Sequence, residues 1–111
     1  MTMSNNEGWK RVALVKDISS DTGTLRVIVD DEAVCLYNVD GSICATQDKC
    51  PHGNASLADG YIENGTIECP LHQGVFDIRS GQPLCPPVTT AIKTYDVKVE
   101  DEAILIRPQA S

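Results

Sequence analysis

The sequence predicts an all-β fold in one domain, on three observations. No stretch carries a sustained 3.6-residue apolar periodicity, so no helix is expected. Short runs of alternating or β-branched residues recur instead, separated by Gly, Asn, Asp and Pro. Two of the separators, Asp40-Gly41 and Asn64-Gly65, are dipeptides that readily supply the two positive φ angles of a type I′ hairpin turn.

Taken in chain order, Trp9 anchors an expected first strand, because a lone large aromatic near the start of a small β domain is most useful as a packing group. In "TLRVIVD", Leu25, Val27 and Val29 share one face, opposite Arg26 and Asp30, which is the pattern of a half-buried strand. "EAVCLYNV" and "SICATQ" flank Asp40-Gly41 and are read as a hairpin; "YIE" and "TIEC" flank Asn64-Gly65 and are read as another. Near the end, "TYDVKVE" sets Tyr95, Val97 and Val99 against Thr94, Asp96 and Lys98, and Glu100-Asp101-Glu102 separates this strand from "AILI". There is no internal repeat, linker or low-complexity tract.

Composition limits the function. A chain of 111 residues, 41% hydrophobic, has room for one core, so a single domain over residues 1–111 is expected. No run approaches the roughly 18–20 apolar residues that cross a bilayer, and "MTMSNNEGWK" lacks both a basic and an apolar leader region; a soluble, cytoplasmic protein is expected. Sixteen acidic against nine basic residues give a net charge of −7, which excludes a nucleic-acid partner and favours one with a basic surface. Asp48, Asp59, Glu63 and Glu68 are read as the local acidic face. Five cysteines, an odd number in a chain without an export signal, argue for metal binding over a disulfide framework.

Both histidines of the chain fall in "CPHGNASLADGYIENGTIECPLHQG", residues 50–74. Cys50 and His52 form a Cys-x-His pair; after sixteen intervening residues Cys69 and His72 form Cys-x-x-His. The hairpin at Asn64-Gly65 folds the spacer back and brings the two loops together. Each cysteine precedes a proline, which holds its backbone extended. A zinc site on the same four side chains is one reading. Zinc fingers, however, usually place like ligands in each half, whereas here every loop offers one thiolate and one imidazole. A binuclear 2Fe-2S centre, with both cysteines on one iron and both histidines on the other, fits better. Two ferric ions, two sulfides and two thiolates then sum to zero charge, so an added electron meets less repulsion than in an all-cysteine centre. Cys35 and Cys44 sit in strand-like runs and are read as small buried hydrophobes, and Cys85 as packing.

On "CPHG", "CPLHQGVFD" and the later "GQPLCPPVTTAIKTYDVKVED", the sequence resembles the Rieske iron-sulfur family over nearly its whole length. Within it, the resemblance is to the small soluble ferredoxins of bacterial aromatic ring-hydroxylating dioxygenase systems of the naphthalene dioxygenase type. It implies a small β-sandwich with a cluster-binding subdomain built from two loops at about residues 48–76, and one Rieske-type 2Fe-2S cluster held by Cys50, His52, Cys69 and His72. The histidine edge would face a partner at one exposed tip. It implies no catalytic residues but a one-electron carrier, expected as a monomer, from an NADH-dependent flavoprotein reductase to a Rieske non-haem iron terminal oxygenase in aromatic-compound degradation. The respiratory Rieske branch adds two disulfide cysteines and two hydroxyl donors near the cluster. Ala55, Leu71, Gly74 and Phe76 stand at the matching positions, which implies a potential near the low end of about −150 to +300 mV. A Rieske-type small subunit of a nitrite reductase-like oxidoreductase and a zinc-stabilised interaction module are the alternatives.

Overall fold

A computed structural model of the chain describes residues 8–51, 53–71, 74–85 and 90–108. Among the described residues ten strands follow one another: β1 Lys10–Leu14, β2 Thr24–Val29, β3 Glu32–Val39, β4 Ser42–Gln47, β5 Tyr61–Glu63, β6 Thr66–Glu68, β7 Val75–Asp77, β8 Pro83–Cys85, β9 Tyr95–Glu100 and β10 Ala103–Pro108. Short 3-10 turns at Val15–Asp17 and Leu57–Asp59 are the only helical elements among the described residues. The strands form three antiparallel sheets, ordered β1-β10-β9, β2-β3-β4 and β5-β6-β7-β8.

Both expected hairpin turns are present with positive φ at each central residue: 53° and 90° at Asp40-Gly41, 52° and 78° at Asn64-Gly65. The same geometry recurs at Asp30-Asp31 (51°, 69°) and Asp101-Glu102 (52°, 71°), where no glycine relieves the left-handed conformation. Aspartate tolerates that region better than most residues. The glutamate has no such advantage, so register pairing on both sides of the turn, Ala103 with Glu100 and Ile104 with Val99, holds it there.

Pairing of β2-β3-β4 against β1-β10-β9 makes the sandwich. Between the sheets lie Val34, Leu36 and Ala45 on one side and Ile104 and Ile106 on the other, with Leu25, Val27, Ile43, Tyr95 and Val97 around them. A second core occupies the opposite face of β3-β4, where Cys35, Tyr37 and Cys44 meet Leu57, Ile67, Phe76 and Ile78 from the four-stranded sheet and its loops. Successive side chains of a strand point to opposite faces. β3 therefore feeds both cores, and that is why Val34 to Tyr37 is an unbroken buried run. Cys35 and Cys44 are core residues, as their strand-like settings implied.

The alternation in "TYDVKVE" holds only at its start. Tyr95 and Val97 pack into the sandwich, but Val99 is 45% exposed toward the end of β9, an edge strand of its sheet that a Thr46–Thr94 bridge joins to β4 just before its start. On the outer face Trp9 is covered by Lys98, whose Nζ lies 4.7 Å from the ring centre, and by the Arg107 guanidinium at 4.5 Å. Arg107 is in turn paired with Asp96 at 3.2 Å. Trp9 thus ties the approach to β1 onto β9 and β10. No helix among the described residues is long and apolar enough to cross a membrane.

Candidate metal centre

Two loops lie at one end of the four-stranded sheet. The first leaves β4 at Gln47 and runs through Cys50 to the Leu57–Asp59 turn. It is closed on itself by Cys50 N–H donating to the Ala55 carbonyl at 3.0 Å, by the Lys49–Ser56 bridge, and by Leu57 N–H donating to the Asp48 carbonyl at 2.7 Å. The second leaves β6 after Glu68, passes Cys69, and returns at Gly74 into β7; Cys69 N–H donates to the Gly74 carbonyl at 2.7 Å. β6 pairs with β7 directly below, Ile67 opposite Phe76.

The Asn64-Gly65 hairpin folds back the spacer between the loops, and both cysteines end in the same apolar cluster, Cys50 fully buried and Cys69 1% exposed. Leu57, Ile67 and Phe76, each with no exposed surface, pack in that cluster. Both residues are thiols. Two thiols brought from distant loops to one dry site form a soft donor pair, which fits the cysteine half of an iron-sulfur centre. His52 and His72 lie outside the described residues, and among the described residues no group of three or more His, Cys, Asp or Glu is gathered. The expectation for the Cys85 side chain also falls outside them.

The four positions that distinguish this chain from the respiratory branch differ in setting. Ala55 is buried and its carbonyl is used by Cys50, whereas Leu71 is 64% exposed. Phe76 fills the apolar cluster, and Gly74 offers its carbonyl to Cys69.

One expectation is corrected. Asp48 is not part of an acidic surface: it is 2% exposed, and its carboxylate accepts hydrogen bonds from Ser56 Oγ at 2.6 Å and from Ala58 N–H at 3.0 Å, and pairs with Arg26 Nε at 3.2 Å. Asp59 and Glu63 are exposed and Glu68 is half-buried. Sequence reasoning also missed Gln47, whose Nε2 donates to the Lys49 carbonyl at 2.7 Å while its Oε1 accepts from Lys93 N–H at 2.7 Å. A charged residue after a strand reads as solvated, and a glutamine at a strand's last position reads as an ordinary strand end, so neither carried a signal of its own.

Away from the loops, burial displaces the acidity of core groups, Cys35 and Tyr37 most. Burial, foremost, pushes the Cys35 thiol up to about 12, and burial likewise raises Tyr37, whose hydroxyl is 2.8 Å from Thr46 Oγ1. Both remain neutral in the fold and serve packing.

The Rieske 2Fe-2S domain model matches residues 8–96 of the chain. A ferredoxin component of a naphthalene 1,2-dioxygenase system from Pseudomonas putida is 46% identical over 98 residues, covering 88% of this chain and 93% of that protein. The ferredoxin of Sphingomonas yanoikuyae B1 superposes with a TM-score of 0.83 at 38% identity, covering 90% of this chain and 98% of that one. A chain from the complex of reduced oxygenase and oxidized ferredoxin in carbazole 1,9a-dioxygenase gives 0.82 at 29% identity, covering 96% and 100%. With its paired buried cysteines and this likeness along almost its whole length, the chain belongs to the Rieske 2Fe-2S family, as a ferredoxin-type electron carrier with a Rieske-type cluster and not a catalytic chain.

Proposed function

We propose that this protein carries single electrons from an NADH-dependent flavoprotein reductase to a Rieske non-haem iron terminal oxygenase in an aromatic ring-hydroxylating dioxygenase system. Residues 1–111 act as one domain, monomeric and cytoplasmic, with the cluster loops at about 48–76. In this reading Cys50 and Cys69 ligate one iron and His52 and His72 the other. The observation that carries it is the burial of Cys50 and Cys69 in one apolar cluster, in a chain so similar to a dioxygenase ferredoxin component.

A bound 2Fe-2S cluster supplies the one-electron chemistry. The chain supplies the rest. Leu57, Ile67 and Phe76 keep water from the thiolate side. Phe76 and Gly74, lacking hydroxyls, leave the centre without the side-chain donors that raise the potential elsewhere, which supports a value toward the low end of the Rieske range. The exposed Leu71, one residue before His72, and the exposed acids Asp59 and Glu63 support docking near the loops onto a basic or mixed surface.

The purified protein is expected to be red-brown, with two irons and two acid-labile sulfides per chain and a Rieske EPR signal on one-electron reduction. One zinc without sulfide would overturn the reading. Cys50→Ser, Cys69→Ser, His52→Ala and His72→Ala should each lose or change that signal. A carrier of this kind elutes alone from native extracts as a small acidic protein and is reduced by the reductase; constant co-elution with a large catalytic chain would favour the nitrite reductase-like subunit.

A further inference from the structure

The first loop is held by a feature that a surface turn does not need. The Asp48 side chain is 3% exposed and negatively charged, and its ion-pair partner Arg26 is 54% exposed on β2. Burying a carboxylate is costly unless its lone pairs are met, and an ion pair seldom offsets the cost by itself. Here they are met by the loop. Ser56 begins the Leu57–Asp59 turn but makes no side-chain cap to it. Its hydroxyl instead donates to Asp48 Oδ2 at 2.6 Å, and Oδ1 accepts the Ala58 N–H at 3.0 Å, so Asp48 caps from across the loop the turn that Ser56 leaves uncapped.

The main chain of the same residue works in both directions. Asp48 N–H donates to the Ala33 carbonyl at 3.0 Å, fixing it to β3, and its carbonyl accepts Leu57 N–H at 2.7 Å. Every described hydrogen-bonding atom of Asp48 therefore joins the arm that enters the loop to the arm that leaves it, or to the sheet beneath. Cys50 follows after one residue, with its backbone restrained by Pro51.

We propose that Asp48 is the positioning residue for Cys50: the carboxylate clamps the two arms of the first loop, with Ser56 as its principal contact, and so fixes the direction from which the Cys50 sulfur is offered to iron. This rests on Cys50 being an iron ligand. Arg26 supports the clamp from the solvent side by balancing its charge.

The test compares holo-protein variants Asp48→Asn, Ser56→Ala and Tyr37→Phe by resonance Raman in the iron–thiolate stretching region and by the rate of cluster loss to a chelator. Tyr37→Phe keeps the ring in the same core and removes only a buried hydrogen bond whose partner, Thr46, lies on β4 and not in the loop. Expected are shifted iron–thiolate bands in Asp48→Asn, with cluster loss faster by about tenfold, the lower end for removing an outer partner of a metal ligand. Ser56→Ala, which keeps the charge, should shift the same bands to a smaller extent, and Tyr37→Phe should leave them in place. Native bands and native chelator resistance in both Asp48→Asn and Ser56→Ala would overturn the proposal, as would equal shifts in Tyr37→Phe. Cys50→Ala separates the underlying reading: if it retains a cluster with unchanged iron–thiolate bands, Cys50 is not a ligand, whatever the Asp48 variants do.

Discussion

Two separate cores imply that the cluster end and the sandwich can be loosened independently. Phe76→Ala is the sharpest perturbation. The ring has no exposed surface and faces Ile67 across the β6–β7 pair, in the cluster that contains Cys50 and Cys69. Truncating a buried phenylalanine costs about 3–5 kcal/mol, with the larger values where neighbours cannot collapse into the space. Ile67 and Ile78 are fixed by strand pairing and by the Ile78 N–H donating to the Gly65 carbonyl, so collapse is limited here. Ile104→Ala, in the other core, costs about 2–5 kcal/mol and serves as the matched control. Either loss is a large part of the roughly 5–15 kcal/mol that holds a domain folded.

The difference should appear in local opening. If about 3 kcal/mol is lost from the loops' own stability, their open fraction rises by roughly two powers of ten. Bleaching of the visible absorbance by excess chelator, without denaturant, reads that fraction, and denaturant unfolding followed by circular dichroism reads the global loss. Phe76→Ala should bleach about a hundredfold faster than wild type, and Ile104→Ala by less than about tenfold at a similar denaturant midpoint. Equal bleaching in the two variants would mean that both cores open as one unit, and the two-core argument would fail.

Gly60→Ala tests the contact between the loops: a Cβ there would be driven into the Glu68 carbonyl oxygen, while the backbone at φ −88° suits alanine, so the expected loss of about 1–3 kcal/mol is steric and a neutral result would remove the contact. Cys35, held near 12 by burial, and Cys44, also raised by burial, should resist iodoacetamide at pH 8 in the folded protein and react once it is unfolded, as read by mass spectrometry; rapid native labelling of Cys35 would contradict its burial. The Asp77 carboxyl is held below its ordinary 3.8 chiefly by the Ser80 hydroxyl and then by the Ser80 N–H, which donates at 2.9 Å. A lowered folded value stabilises the charged form, so this contribution, small because solvent screens the group, is present above 3.8 and lost as pH falls through the folded value. The stability difference between wild type and Asp77→Asn should accordingly shrink between pH 5 and pH 2, and a difference that grew on acidification would reverse the assignment.

The parts of the fold that were legible in the sequence are those written in local chemistry. Asp40-Gly41 and Asn64-Gly65 identify their turns because glycine and asparagine relieve a positive φ, and "TLRVIVD" identifies its strand because only one face is buried. Asp30-Asp31 adopts the same turn without glycine, on the strength of the Val29–Glu32 pairing around it, and so looked like ordinary polar sequence. The division into three sheets could not be read either. That β3 serves two cores depends on which strands cover its faces, a tertiary fact, and "AVCLY" alone suits any buried strand. At the site, Cys50 and Cys69 were marked by spacing and by the prolines after them. Asp48 was misjudged because charge in a loop suggests solvent, and its burial depends on Ser56, Ala58 and Arg26, which lie from eight to twenty-two positions away in the chain.

A two-loop centre also needs the loops held relative to each other, and the chain does this without a covalent link among its described residues. The first loop is tied inward by Asp48 and toward β9 by Gln47, whose backbone N–H donates to the Lys93 carbonyl at 2.8 Å while its side chain bridges Lys93 and Lys49. The second is set by β6, and β6 meets the first where Gly60, at the end of the Leu57–Asp59 turn, lies against the Glu68 carbonyl, one residue before Cys69. Only a residue without a Cβ allows that approach. Cys50 is thus referenced through Asp48 to the turn, the turn through Gly60 to Glu68, and Glu68 to Cys69, a continuous path in close contact at each step. No disulfide joins the loops among the described residues, whose cysteines Cys35, Cys44, Cys50 and Cys69 are free, so this chain of contacts is what links one loop to the other. Holding the loops through contacts made by the fold itself places the entropic cost of bringing them together in folding.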